Sequence, residues 1–374
     1  MKFIVSSSAL HNRLQAIGRV ISSKNTLPIL DCFLFNIEGN ELTITASDNE
    51  NTLTTKLQLV ESESNIRFAV NAKTIQDAMK EIPEQPLDFY INEQTLEVTV
   101  EYQNGNYRFM GQSGDEYPTP PALDGETTTF TFSASDLLAG ITRAIFATAE
   151  DGLRPIMTGI YFDKTPECLN VVASDGHKLV SSKLFNAKTT ADKSFVLPKK
   201  PAGLLKNLLV KMEEEVTIQF NNRNAIITLP SVEINCRLIE GQYPNYNSVF
   251  PQNNPNRMVV NRLGLLSALR RVMIFSNATI SLVKLELSNS KLRISSQDID
   301  FSMSAHEEIL CDYQGEPMRI GFKGPYLNEM LNNIEGDEVI FQLADSARAG
   351  LISPAVQVEG MNVLMLLMPM MLND

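Results

Sequence analysis

Few residues of this chain have the types and spacing that catalysis or metal binding requires. Asp175-Gly176-His177 sets a carboxylate beside an imidazole, but no serine or cysteine nucleophile can be paired with them from the sequence. A loop or site-lining histidine is the favoured interpretation, and a hydrolase that uses Asp175 and His177 stays open as an alternative. Asp298 and Asp300 would share one face of a strand, as a two-carboxylate metal site requires, although turn carboxylates are the more frequent case.

Known enzyme motifs are missing from the sequence. It contains no phosphate-binding Gly-x-x-x-x-Gly-Lys-Ser/Thr, no Gly-x-Gly-x-x-Gly after a strand and no Gly-x-Ser-x-Gly, to which residues 111–114 (GQSG) come nearest. The four cysteines lie at least 68 residues apart and only three histidines are present, which argues against a zinc site. We predict a binding protein rather than an enzyme, with no catalytic residue, metal or cofactor.

The composition indicates a globular protein of several domains. Hydrophobic residues make up 43% and charged residues 20% of the 374 residues, close to the average of globular chains. Because one hydrophobic core stops growing at roughly 250–300 residues, two or three domains are expected. No apolar run reaches the roughly 18 residues that a membrane span needs, and no signal-peptide region follows Met1. We expect a cytoplasmic protein that does not contact membranes.

An internal repeat organises the chain. Residues 42–48, 169–175 and 292–298 match one another as alternating strands that end on an aspartate, at offsets of 127 and 123 residues. Each is preceded by another strand, which predicts a hairpin in each repeat. Two segments with apolar residues at helical spacing accompany each hairpin, and the six segments are residues 7–21, 72–82, 133–147, 198–212, 261–275 and 323–335.

This pattern predicts the α+β class, with three repeated domains that each contain two helices and antiparallel sheets. The observed period is close to a third of the chain length. Chance similarity among unrelated strands is the alternative. The predicted domains are residues 1–124, 125–253 and 254–374.

Charge is segregated between the helices and the rest of the chain. The net charge of −12 argues against nucleic acid as a partner, yet the six helical segments together carry +8 and leave −20 on the remaining residues. Basic helices on an acidic protein would bind a polyanion locally, although ordinary solvated helix faces are the alternative. Base-specific recognition is not indicated, because no helix-turn-helix or aromatic platform is found. The predicted phosphate contacts are Arg19, Lys24, Lys73, Arg143, Lys199, Lys200, Lys206, Arg270 and Arg271.

Four short segments resemble one known family: residues 26–30 (TLPIL), 174–179 (SDGHKL), 241–246 (GQYPNY) and 368–370 (MPM). The chain is similar over its whole length to the bacterial sliding clamps, the β subunits of the DNA polymerase III holoenzyme. The resemblance implies the DNA-clamp fold and a head-to-tail homodimer whose six domains close a ring, with helices lining the hole. It further implies a processivity factor that encircles double-stranded DNA without sequence preference. A clamp loader, the replicative polymerase and other DNA polymerases are the implied partners.

The resemblance also implies a groove for a short linear motif that partner proteins carry. Met371 and Ser248 stand where the family usually has arginine, and Asn373-Asp374 extend past the usual end, which predicts an altered ligand preference. An edge strand packed on its own core is the alternative for the tail. The implied groove residues are Arg154, Met157, Ser174, Gly176, His177, Lys178, Leu179, Pro244, Val249, Leu366, Leu367, Met368, Pro369, Met370 and Leu372.

The implied ring contact joins the first domain of one chain to the third domain of another. Phe109 is expected to meet Ile274 and Phe275, flanked by a pair of Arg108 with Asp298 or Asp300. Gly111 stands where the family often has a larger apolar residue, which predicts a weaker contact. An acidic three-domain interaction scaffold, monomeric and without DNA encirclement, is the alternative function.

Overall fold

The computed structural model of the chain describes residues 1–22, 24–25, 27–63, 65–189 and 191–372. Thr26, Asn373 and Asp374 lie outside these residues. The chain forms two compact units, and the middle third of the sequence contributes to both. The first unit combines Met1–Ala134, Lys188–Ala191 and Asn207–Leu238, and the second combines Ser135–Ala187, Asp192–Lys206 and Ile239–Asp374.

The six predicted helices are confirmed, each two to four residues shorter than predicted because helix ends fray. Polar side chains fix several of the starts: Ser6 accepts a hydrogen bond from the Ala9 amide and Asn71 accepts one from the Thr74 amide, as N-cap residues do. In the described part of the chain the helices are α1 (Ser7–Ile17), α2 (Ala72–Lys80), α3 (Ala134–Ile145), α4 (Lys199–Leu209), α5 (Arg262–Met273) and α6 (Gly324–Asn332).

Strands make up most of the remaining structure. Over the described residues they are β1 (Lys2–Ser6), β2 (Cys32–Glu38), β3 (Glu41–Ser47), β4 (Asn51–Gln58), β5 (Glu61–Ser62), β6 (Ile66–Asn71), β7 (Pro86–Ile91), β8 (Glu97–Tyr102), β9 (Gly105–Met110), β10 (Gln112–Ser113), β11 (Thr128–Ser133), β12 (Gly159–Lys164), β13 (Leu169–Ser174), β14 (Lys178–Leu184), β15 (Lys188–Thr189), β16 (Phe195–Pro198), β17 (Glu215–Phe220), β18 (Asn224–Thr228), β19 (Val232–Arg237), β20 (Asn256–Asn261), β21 (Leu282–Ser288), β22 (Lys291–Asp298), β23 (Met303–Leu310), β24 (Asp312–Gln314), β25 (Met318–Lys323), β26 (Glu338–Leu343), β27 (Gly350–Pro354) and β28 (Met361–Leu367).

The described residues of the first unit form two antiparallel sheets. One has the order β5-β1-β7-β8-β9, and the other has the order β10-β6-β2-β3-β4-β19-β18-β17-β11-β15. The second sheet runs from the first repeat into the middle third of the sequence, because β4 pairs with β19. Leu10, Leu14 and Ile17 of α1 are fully buried, so the apolar face that the sequence predicted lies in the core.

The described residues of the second unit also form two antiparallel sheets, with the orders β16-β12-β13-β14-β28-β27-β26-β20-β24 and β23-β22-β21-β25. Here β14 of the middle repeat pairs with β28, the last strand of the chain, over seven residue pairs from Lys178↔Leu367 to Leu184↔Met361. Neighbouring β strands hold their side chains within contact distance, so this pairing sets residues 178–184 beside the chain's last strand. No helix of the described chain is long and apolar enough to cross a membrane.

The repeat is confirmed by its hairpins. The strand pairs β2–β3, β12–β13 and β21–β22 are antiparallel, as the three matching segments predicted. Two of the connecting turns contain a residue with positive φ, Gly39 at 59° and Ser290 at 64°.

Candidate functional site

The aspartates of the three repeats make the same turn. The Asp175 carboxylate accepts hydrogen bonds from the amides of His177 (2.8 Å) and Lys178 (2.9 Å). Asp48 does the same with the amides of residues 50 and 51, and Asp298 with those of residues 300 and 301. The interpretation as turn carboxylates is confirmed. Within the described residues, no group of three or more His, Cys, Asp or Glu side chains is placed to hold a metal ion.

Gly176 is required at the tip of the second of these turns. Its φ is 87°, and a Cβ built on it would lie 2.5 Å from Nη1 of Arg154. Arg154 donates hydrogen bonds at 2.8 Å to the Asp175 carbonyl and to the Asp151 carboxylate. The hydrogen bond from Arg154 lowers the pKa of Asp151. This contact fastens Arg154 to the turn.

The C-terminal tail is fastened to this turn and to a second strand. The Met368 amide donates to the His177 carbonyl at 2.9 Å, continuing the β14–β28 ladder by one residue. The Met370 amide then donates to the Gly321 carbonyl of β25 at 2.8 Å. Residues 368–370 therefore cross from one strand to another instead of running on along β14.

An apolar cluster lies beneath this region. Leu179 and Leu366 are directly opposite each other in the ladder and pack with Tyr243 and Tyr246, together with residues 156 and 250. Burial raises the pKa of both tyrosines. Val249 lies beside the cluster and is 51% exposed. The result is an apolar surface whose floor is packed and whose rim is accessible.

The predicted groove residues therefore fall into three classes of exposure. Gly176, His177, Pro244, Val249 and Met368 are exposed, Arg154, Pro369, Met370 and Leu372 are half-buried, and Met157, Ser174, Lys178, Leu179, Leu366 and Leu367 are buried.

Lys178 differs from the other predicted groove residues. Its ammonium pairs with the Glu329 carboxylate and lies 4.5 Å from the centre of the Tyr326 ring. These groups line a cavity of about 330 Å³, together with Phe146 and Arg154. The charge of Lys178 is thus compensated inside the unit, and its backbone is the part that joins the tail. The sequence did not indicate Glu329 or Tyr326, because both lie about 150 residues away on α6.

Most of the predicted phosphate contacts are accessible. Arg19, Lys24, Lys73, Lys200, Arg270 and Arg271 are exposed, and Lys199 and Lys206 are half-buried. Several also have protein partners. Lys199 pairs with Glu150 at 3.0 Å, and Arg271 makes two hydrogen bonds of 2.6 Å to Glu307, which lower the pKa of that carboxyl.

Arg143 is the exception. Its side chain is only 4% exposed, its guanidinium pairs with Glu335 at 2.9 Å, and Nη1 lies 2.9 Å from the Met361 sulfur. A buried guanidinium with an ion-pair partner is not presented to a phosphate. The position of Arg143 disagrees with the prediction that it contacts phosphate. That prediction was made from helical net charge, which does not reveal which face of α3 a cation occupies.

The predicted ring-contact residues differ in their exposure to solvent. Arg108 is exposed and pairs with Glu97 at 2.9 Å, Phe109 is half-buried, and Ile274 and Phe275 are 72% and 38% exposed. Asp298 is 3% exposed and its carboxylate accepts the hydrogen bonds of the turn. Of the two predicted acids, only Asp300 is therefore exposed at the surface.

Several exposed apolar residues near that turn were not predicted from the sequence. Ile299 and Phe301 are 79% and 74% exposed, and Ile280 and Met303 are 52% and 40% exposed. The Asn277 amide lies 3.4 Å from the Asp300 carboxylate, which links the segment after α5 to this turn. Apolar side chains clustered at a surface mark an interaction site. The sequence did contain one signal for this surface, because Ile299 and Phe301 are two large apolar residues in a turn.

The chain matches one family of known proteins over nearly its whole length. Sequence profiles of the DNA polymerase III beta subunit match residues 1–121 (N-terminal domain), 131–245 (central domain) and 247–371 (C-terminal domain). A beta sliding clamp of Pseudomonas aeruginosa is 29% identical over 359 residues, covering 95% of this chain and 96% of the relative.

Solved structures agree. The crystal structure of a DNA polymerase sliding clamp from Pseudomonas aeruginosa with ligand has a TM-score of 0.92 at 27% identity, covering all of both chains. A sliding clamp from Bartonella birtlesii bound to griselimycin has a TM-score of 0.91 at 26% identity, again covering both chains.

Three repeats of paired helices and antiparallel sheets, matched over their whole length, define a three-domain sliding clamp. The chain belongs to the DNA polymerase III beta subunit family. The predicted family, the predicted fold and the function as a processivity factor of DNA replication are thereby confirmed.

Proposed function

We propose that this sliding clamp forms a homodimeric ring of six domains around duplex DNA and tethers DNA polymerases without catalysing a reaction. The exposed cations on the helices of an otherwise acidic chain are the observation that carries the proposal. Loose contacts between such cations and phosphates do not depend on the base sequence, so the protein can slide along the duplex. Acidic surfaces elsewhere repel DNA. Arg143 is left out of the phosphate-facing set, because it is buried.

Partner proteins dock, in this proposal, in the groove formed by β14, residues 243–249 and the C-terminal tail. The packed floor of Leu179 and Leu366 offers an apolar surface, and the accessible rim of Val249 and Met368 offers side chains that a ligand can cover. Unbranched methionines adapt to ligands of different shape, which suits a site for several polymerases and for a clamp loader.

The ring contact is proposed to join Phe109 of one chain to the apolar surface around Ile274, Phe275, Ile299 and Phe301 of another. Residues 1–124, 125–253 and 254–374 are the proposed domains, and the cytoplasm is the proposed location. The bound partner would cover the exposed apolar side chains, which gives the association its driving force.

Two measurements on the full chain test the proposal. Light scattering at micromolar concentration should give about twice the chain mass of 41.6 kDa. Protein loaded on nicked circular DNA by a clamp loader should be retained during gel filtration and lost after the DNA is cut once, because only a closed ring is held topologically. A monomer that is not retained on circular DNA would contradict the proposal and leave the acidic interaction scaffold.

A further inference from the structure

A second cavity, of about 310 Å³, lies on the sheet β23-β22-β21-β25 of the second unit. Three neighbouring strands and the C-terminal tail form its walls. Its lining includes Lys284, Arg293, Ser295, Ser304, His306 and Leu372.

The cavity faces away from the helix that carries two of the proposed phosphate contacts. Successive residues of a strand point to opposite faces of the sheet. Val283, Leu285 and Ile294 are fully buried, whereas Lys284 and Arg293 of the same strands line the cavity. Helix α5 packs against β21, β22 and β23. The cavity therefore opens on the sheet face opposite α5 and its Arg270 and Arg271.

The cavity has an excess of positive charge. Lys284, Arg293 and Arg319 all approach the single carboxylate of Glu286, at 3.2, 3.7 and 3.3 Å. One carboxylate neutralises one of the two cations that line the cavity, Lys284 and Arg293. None of the described residues that line the cavity is an Asp or a Glu. Two basic side chains, with serine hydroxyls beside them, thus form a site suited to an oxyanion.

These ion pairs leave the cations available to a ligand. Lys284 is 35% exposed and Arg293 is 46% exposed, and pairs at such positions contribute little net free energy because water screens them. An incoming carboxylate can therefore join or replace Glu286 at little cost.

The cavity shares a wall with the proposed partner groove. Leu372 lines the cavity, two residues after Met370 bonds to Gly321 of β25. Gly321 lies directly opposite Lys284 in the sheet, and a Cβ built on it would lie 2.8 Å from a methyl group of Leu372. The tail thus runs from the groove to the cavity. A peptide that lies along the tail brings its next residues within reach of Lys284.

We propose that this cavity binds the carboxylate of an acidic residue that a partner peptide carries beside its docking motif. The inference rests on the proposed function of the groove and adds an electrostatic component to it. An occupant that reaches the cavity along the tail is favoured over DNA, because the cavity and α5 lie on opposite faces of the sheet.

A labelled base peptide and four extended forms of it test this. The base peptide is a clamp-binding peptide containing Leu and Phe, and each extended form adds, at one end or the other of the motif, a short Gly-Ser linker ending in Asp-Asp or in Asn-Asn. Fluorescence anisotropy with the full chain should show that one Asp-Asp form binds about fivefold more tightly than its Asn-Asn counterpart, equivalent to about 1 kcal/mol. The preference should shrink with salt.

Variants assign the effect to the cavity. The preference should disappear in Lys284→Gln/Arg293→Gln and persist in Lys291→Gln. Lys291 is a matched control, because it is exposed, lies on the same strand as Arg293 and pairs with Glu308 outside the cavity lining. If the double variant fails to fold by thermal melting, each single variant should lose part of the preference.

Each contrary result has a distinct meaning. Equal binding of the Asp-Asp and Asn-Asn forms, or a preference that survives in Lys284→Gln/Arg293→Gln, overturns the inference while the groove stands. Failure of the base peptide to bind overturns the groove and the inference together. If the double variant instead loses retention on circular DNA and shows no peptide effect, the cavity serves DNA phosphate and the inference is wrong.

Discussion

At the scale of single residues, Gly176 has the left-handed backbone that the turn beside the proposed groove requires. A left-handed backbone costs a residue with a side chain about 1–2 kcal/mol, and here the Cβ would also displace the Arg154 guanidinium. Gly176→Ala should lower the free energy of unfolding by about that amount and weaken binding of the base peptide, because the same turn supplies the His177 carbonyl that anchors Met368. Chemical denaturation and peptide anisotropy measure the two effects.

Gly152→Ala provides the control for that substitution. A Cβ at Gly152 meets open space, so stability and peptide affinity should stay unchanged. If Gly176→Ala were as stable as Gly152→Ala and bound the peptide equally well, the turn would not be constrained as described.

Residue types alone predicted part of the site. The sequence identified the turn at Asp175 because an aspartate at a strand end, followed by glycine, has a local explanation. It did not separate Asp298, which is buried in its turn, from Asp300, which is exposed. It also placed Arg143 on a basic surface, whereas the structure buries it against Glu335. Burial and long-range pairing depend on tertiary packing, which a single sequence does not encode locally.

At the scale of elements, the helices were predicted well and the sheets only in part. The period of 3.6 residues and N-cap side chains such as Asn71 are local signals. The hairpins were predicted for the same reason. The pairings β4–β19 and β14–β28 join strands that lie more than 170 residues apart, and no periodicity specifies such a partner. The groove depends on the second pairing, so its residues came from the family resemblance.

The cations on the helices should set the salt dependence of DNA binding. Each lost phosphate contact removes about 0.9 from the slope of log affinity against log salt. Replacing Arg19, Lys200 and Arg270 with Ala should therefore flatten that slope for a short duplex by up to about 3, while the base peptide binds unchanged. Lys56 and Lys291, exposed cations on strands, are the control pair. A slope that matches this control would place the helices away from DNA.

The tail should matter for partners rather than for dimerisation. Removing residues 369–374 deletes the Met370 bond to Gly321 but keeps the Met368 bond to His177. The base peptide should bind at least tenfold more weakly, equivalent to about 1.4 kcal/mol, because part of the groove wall is gone. Peptide anisotropy measures this, and light scattering should still give the dimer.

A second variant keeps the tail but moves it. Gly321→Ala would bring a Cβ within 2.8 Å of Leu372 and 3.0 Å of the Met370 carbonyl, so residues 370–372 must shift. It should weaken the base peptide in the same direction as the truncation. Full affinity in both folded variants would make the tail structural only.

At the scale of the whole molecule, the proposed ring requires an acidic chain to associate with itself and with DNA. The net charge of −12 disfavours both contacts at long range. Short-range apolar burial is the force that can overcome this repulsion between two copies, and in the proposed ring contact the exposed side chains around residues 274, 299 and 301 would supply it. Gly111 sits where its Cβ would lie 2.9 Å from the Leu96 carbonyl, so a larger residue there would require the backbone to move.

Ring formation should therefore be lost when this apolar surface is charged. Ile299→Asp and Phe301→Asp together place two carboxylates in the proposed contact. An unpaired charge costs far more free energy when it is buried than when it stays exposed to water. We expect the dimer dissociation constant to rise at least about 30-fold, equivalent to ~2 kcal/mol, as at other interface hot spots. Light scattering over a dilution series measures it.

Val356→Asp is the control for that surface, because Val356 is 83% exposed and belongs to the segment between β27 and β28. It adds one exposed carboxylate without touching the proposed contact, so its dimer should dissociate as the parent does. The base peptide should bind both variants normally, since the groove lies on β14 and the tail. A doubly substituted protein that stays dimeric would show that the exposed residues at 299 and 301 lie outside the ring contact.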